Sequence, residues 1–175
     1  MLSRILFFLI LFLSGFTSLI NQVVWQRAIK VYLGGADAIC SMIVVFVFMV
    51  GLGIGSLIIS KVISKIKNPL YTIAKLEISL FVTNLIVLLL LKSDISETIF
   101  SFQRAAMALG ISLKFLYAIS SIALLIIPCS LMGMTMSVAS EAAKRQLNIN
   151  NPWILDNMFF INTIGSCLGS VATGF

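Results

Sequence analysis

Five long apolar blocks, each carrying few or no charges, divide this chain at roughly 5–24, 38–60, 70–91, 115–137 and 154–175. About 20 residues at 1.5 Å per residue are needed to cross a hydrocarbon layer of about 30 Å as a helix, and each block is near that length. None alternates with the period of two that a barrel strand requires. A helix is the remaining spanning structure, because inside lipid every backbone amide must find its partner within its own segment. Composition agrees. Of 175 residues, 60% are apolar and only 10% charged, with mean hydropathy +1.13, against about 25% charged in a soluble domain. The expected fold is an all-α polytopic helix bundle of five transmembrane helices, forming a single transmembrane domain over 1–175 in contact with the lipid bilayer.

Arg4 precedes the apolar run ILFFLILFLSGF, as in a signal peptide. The run continues past Ser14 to Val24 with no A-x-A cleavage site, so the first helix is expected to stay uncleaved. Counting basic residues at the block ends sets the orientation. An N-terminus inside places Arg4, Lys61, Lys65, Lys67, Lys144 and Arg145 on the cytoplasmic side, extended by Lys75. Arg27, Lys30, Lys92, Arg104 and Lys114 fall opposite. The cytoplasmic group is the larger and includes the dense KVISKIK loop, so the expected location is the cell (inner) membrane with a cytoplasmic N-terminus. The net charge of +6 then marks topology and anionic lipid rather than nucleic acid, for which no solvated basic face with aromatics is present.

The stretch VFMVGLGIGS, residues 47–56, superficially resembles a strand entering a nucleotide-binding turn, with Glu77 downstream where a ribose carboxylate would stand. Its surroundings are apolar from Ala38 to Ser60, however. Gly51 and Gly55 sit one helical turn apart, a spacing by which membrane helices pack closely. Helix packing is therefore expected at Gly51 and Gly55, and no cofactor. Cys40, Cys129 and Cys167 have no metal-ligand spacing and read as small packing residues, so no metal is expected. There is no histidine, and no catalytic residue is assigned.

Between the third and fourth blocks, Asp94-x-x-Glu97 resembles a helix start, and Ile95, Ile99, Phe102 and Ala106 share one helical face. An interfacial helix over 94–107 and an ordinary polar loop both fit.

Ionisable and amide residues within the blocks are the candidate site. A charge near the bilayer centre costs about 3 kcal/mol even on the lenient insertion scale, and Glu77 lies about two turns into the third helix. It is either a proton- or cation-binding carboxylate or a structural one pinning two helices. Its candidate partners are Asn21, Gln22 and Arg27 near the end of helix one, Asn162 in helix five, and Lys61 or Lys65 across the second loop. Depth argues against Arg27. Glu77, Gln22, Arg27 and Asn162 form the candidate polar path. Asn162, Gly165, Ser166 and Gly169 share a face suited to close contact, and Trp25 with Arg27 reads as an interfacial anchor.

Taken together these stretches resemble a family. SGFTSLINQVVWQR is similar to the opening of the spermidine synthase-like membrane proteins through Ser14, Gly15, Leu19, Gln22, Trp25 and Arg27, with Asn21 departing from their tyrosine. The same resemblance runs through Phe48, Met49, Gly51, Leu52, Gly55 and Ser56, then Glu77, then Pro128, Met132 and Gly133, where Ser137 replaces a proline. It ends with Asn162, Thr163, Gly165, Gly169, Gly174 and Phe175. The resemblance implies a bundle like most of one six-helix half of a major facilitator transporter. It implies the membrane-integral region of a polyamine aminopropyltransferase, which anchors or supplies substrate to a soluble aminopropyltransferase-like domain or subunit. The soluble catalytic domain is not in this sequence, so a truncated membrane region and a short family member are both expected readings. The alternatives are a small-cation or polyamine transporter subunit working as a homo-oligomer, and a structural subunit of a membrane complex.

Overall fold

The computed structural model describes residues 2–33, 37–92, 101, 104–105, 107–108, 110, 113–146 and 152–174. Five long helices account for nearly all of it: α1 Leu2–Leu33, α2 Asp37–Ser60, α3 Pro69–Lys92, α4 Leu113–Gln146 and α5 Pro152–Gly174, with one 3-10 turn at Ile63–Lys65. The fold is an all-α bundle, and no strand occurs among the described residues. Most of the segment expected to carry an interfacial helix, 94–107, lies outside the described residues.

Local chemistry explains several boundaries. Pro69 and Pro152 each occupy the first helical position, where a missing N–H costs nothing and φ is already set. α1 continues beyond Val24 to Leu33, because no residue before Gly34 interrupts it. α4 likewise passes the end of its apolar block to Gln146 and carries Lys144 and Arg145 in its last turn, where cations complement the helix dipole. Pro128 lies inside α4 and does not end it. Within a bundle, neighbouring helices and hydroxyl side chains compensate such interruptions. The carbonyl that Pro128 leaves without an intrahelical donor is that of Leu124, and the hydroxyl of Ser130 makes a separate i−4 bond to the Ile126 carbonyl at 2.7 Å.

α1, α2, α3 and α4 are each long and apolar enough to cross a membrane. α5 has the length, but Asn157, Asn162, Thr163, Ser166, Ser170 and Thr173 lower its apolar content, and over its described residues it falls short of that mark. Its principal contact is with α1.

The helices associate as two intimate pairs, α2 with α4 and α1 with α5, and α3 leans on α4. Both pairs run parallel. On α5, Gly165 and Gly169 meet the carbonyls of Phe12 and Phe16 in order, and Gly15 of α1 meets the backbone of Asn162. On α2, Gly51 abuts Cys129 and Gly55 the Ser130 carbonyl, while Gly133 of α4 meets the Leu52 carbonyl. A Cβ at any of these six glycines would overlap the partner helix. Gly53 has open space around it and takes no part.

Apolar clusters fill the bundle at both ends. One joins Phe7, Leu11, Ile73, Val138, Ala142 and Met158; the other joins Trp25, Ile29, Val44, Val47, Leu125 and Met132. Trp25 is thus 1% exposed and packs inward, correcting the expected headgroup anchor: on the extended α1 its ring faces α2 and α4 instead of an interface. Outward faces carry large apolar side chains such as Phe46, Met49, Phe81 and Phe160, as contact with lipid requires. At one end, Arg145 pairs with Glu141 and donates to the Ile66 carbonyl at 3.1 Å, tying α4 to the turn after α2.

Candidate functional site

α1 and α3 both pack on other helices and leave a trough between them. Three cavities, of about 370, 440 and 200 Å³, open along it, and Glu77 borders all three. The largest is lined by Leu6, Phe7, Ile10, Leu70, Ile73 and Ala74 beside Glu77. The second runs the other way, past Thr17, Ile20, Asn21, Leu80 and Phe81 to Asn84, Leu85 and Leu88. The smallest lies against Ser14 and Thr17.

Helical periodicity builds this site. Ser14, Thr17 and Asn21 fall at i, i+3 and i+7 on α1, and Glu77 and Asn84 at i and i+7 on α3, so each set forms one polar stripe in an otherwise apolar surface. The stripes face each other. Ser14 Oγ donates to Glu77 Oε1 at 2.9 Å. Among the described residues this is the only hydrogen bond to the carboxylate, and no lysine or arginine pairs with it. Asn84 Oδ1 is buried with no hydrogen-bond partner.

A single hydroxyl is worth about 1.5–3 kcal/mol to an ionised acceptor. Withdrawing a carboxylate from water costs several kcal/mol. One serine does not offset that, so the trough presents a carboxylate with remaining capacity for a proton or a cation.

Of the residues singled out from sequence, only Glu77 lies in the trough's core, and Asn21 joins it at the edge of the second cavity. Gln22, Arg27 and Asn162 line none of the three cavities. Arg27 donates from Nη2 to the Thr173 carbonyl at 2.5 Å, clamping α1 to the end of α5. Asn162 meets Gly15 within the α1–α5 seam, where Ser166 Oγ also donates to the Gly15 carbonyl at 3.1 Å. Gln22 is half-buried on α1. Lys61, just before the 3-10 turn, and Lys65, its last residue, are exposed and do not reach Glu77. Lys75, two residues from Glu77, turns away to stack over the Tyr71 ring at 4.7 Å. Ser14, Thr17 and Asn84 are the site residues that sequence reading missed. The available signal was helical spacing: Ser14 and Asn21, and Glu77 and Asn84, are seven apart, and Thr17 follows Ser14 by three.

Of the cysteines, Cys129 is buried against Gly51, Cys167 is exposed on the outer face of α5, and the side chain of Cys40 lies outside the described residues. A further cavity of about 380 Å³ between α2, α4 and α5 is lined by Ser56, Ser137 and Ser140 among apolar residues, with Ser56 and Ser137 hydrogen bonded at 3.0 Å.

Comparison of the chain with protein-family models, with curated proteins and with solved structures finds no match.

Proposed function

We propose that this chain is the membrane-integral region of a spermidine synthase-like protein, anchoring or supplying substrate to a polyamine-type aminopropyltransferase on the cytoplasmic side, with the N-terminus cytoplasmic. One observation carries this reading: residues bearing the resemblance in separate blocks meet across the bundle. Ser14 bonds Glu77, Gly15 seats Asn162, Arg27 holds the carbonyl beside Gly174, and Gly51 and Gly55 pack on the two residues after Pro128. Motifs that serve one another's contacts support a shared bundle, and a shared bundle supports a shared scaffolding role. Affinity purification of the full chain from native membranes in mild detergent tests it. Co-purification of a soluble aminopropyltransferase-like protein is expected, and its consistent absence contradicts the anchor role.

The Glu77 trough favours a second reading, a small-cation transporter subunit acting as an oligomer, since a carboxylate in a membrane-spanning segment marks ion and substrate paths. Glu77→Gln then abolishes cation flux in reconstituted vesicles while helicity and expression persist. Unchanged flux removes this reading.

A further inference from the structure

We propose that the trough between α1 and α3 binds a lipophilic organic monocation, its one ammonium held by Glu77 and its apolar body lying along the walls beside it. The inference rests on the cation reading of Glu77 and narrows the ligand to a single charge and an apolar frame.

The charge stands alone among apolar walls. Glu77 borders all three cavities of the trough and, among the described residues, is the single ionisable one lining any of them. It accepts one hydrogen bond, from Ser14, of the several a carboxylate can take. An ammonium brings further donors and the opposite charge, and such charge-assisted bonds are the strong ones. Apolar walls with one placed polar group are the usual make-up of a small-molecule pocket.

An inorganic ion finds too few oxygens here. Magnesium takes an octahedral set and calcium six to eight oxygens. In the smallest cavity the carboxylate is joined only by the hydroxyls of Ser14 and Thr17. Thr17 Oγ1 already donates to the Leu13 and Ser14 carbonyls at 2.9 and 3.1 Å. Asn21 lies seven residues beyond Ser14 on α1, a rise of about 10 Å, and Asn84 Oδ1 is enclosed by protein.

A polyamine meets a different obstacle. A four-carbon spacer sets a second ammonium about 6 Å from the first, at bond lengths near 1.5 Å. That is about one helical turn along α3, beside Ile73 and Ala74 in one direction or Leu80 and Phe81 in the other. No acid waits at either place, so the second charge is withdrawn from water without compensation. A methyl group in the same position is favoured by burial instead. Butylamine therefore fits better than its diamine counterpart, and better than methylamine, which leaves the walls untouched.

Calorimetry on the full chain in lipid nanodiscs, with protein-free nanodiscs subtracting partition into lipid, tests this with butylamine, methylamine, the four-carbon diamine, butanol and sodium. Butylamine is expected to bind on the order of tenfold tighter than methylamine, the effect of three methylenes partly removed from water. It should exceed the diamine by a similar factor, while butanol and sodium give no signal above the lipid control. Glu77→Gln should abolish butylamine binding, with helicity and monodispersity establishing that the variant is folded. The ligand series on the unaltered chain decides the matter even where the variant fails to fold. Equal binding of methylamine and butylamine overturns the apolar frame while leaving a cation at Glu77. Tightest binding by the diamine overturns the single-charge assignment, and tightest binding by sodium overturns the organic one, each again leaving the cation reading in place. Butanol binding as well as butylamine, or no binding by any cation, overturns both the site and the cation reading.

Discussion

At the scale of single residues, the bundle separates glycines that must be glycine from those that need not be. Gly55 has the Ser130 carbonyl where its Cβ would go, whereas Gly53, two residues away on the same helix, faces open space. Gly55→Ala is therefore expected to cost about 1–3 kcal/mol through forced separation of α2 and α4. Gly53→Ala should gain up to about 1 kcal/mol from helix propensity. Thermal unfolding in detergent distinguishes them: a lower midpoint for the first and an equal or higher one for the second. Equal behaviour of the two variants would mean that the α2–α4 seam is not where these contacts place it. The pair also shows what a sequence can disclose at this scale. The spacing Gly51-x-x-x-Gly55 was enough to mark a packing face, because two bare backbones one turn apart have few other uses in an apolar helix. The partner residues were not legible, since nothing in the α2 sequence says whether Cys129, Ser130 or some other backbone lies opposite. Glu77 repeats the lesson. Its presence in an apolar helix announced a site, while its bond to Ser14 depends on the register of α1 against α3, which no local pattern records.

At the scale of elements, α5 is the informative helix. It resembles its neighbours in length but carries amides and hydroxyls on the face it turns to α1, where Gly165, Ser166 and Gly169 close on Phe12, Gly15 and Phe16. Its place in the bundle thus depends on α1 more than on hydropathy. In a microsomal insertion assay with glycosylation tags, α2 alone should insert fully and α5 alone only in part, and co-expressed α1 should raise the insertion of α5. Complete insertion of isolated α5 would contradict this dependence. Helix existence was legible at every apolar block because twenty apolar residues have one spanning solution. Helix ends were less so. α1 and α4 run past their apolar blocks into polar sequence, where capping and tertiary contact, such as Arg145 on the Ile66 carbonyl, decide the boundary. Trp25 was misplaced for a related reason: at the end of an apolar block it reads as an interfacial ring, and the extension of α1 moves it into the core.

At the scale of the whole molecule, two parallel helix pairs meet mainly where α1 lies against α2, and α3 is held on one side by α4, so the trough beside α1 follows from the pairing. Everything proposed for Glu77 depends on that arrangement, in which the carboxylate meets α1 at Ser14 and not at the amide and guanidinium near its far end. Cysteine cross-linking in native membranes tests this directly, with Cys40, Cys129 and Cys167 replaced by alanine. Ser14→Cys with Glu77→Cys should form a disulfide rapidly on mild oxidation, while Gln22→Cys with Glu77→Cys should not. Rapid cross-linking from position 22, with none from position 14, would contradict the register of α1 and α3 and with it the site.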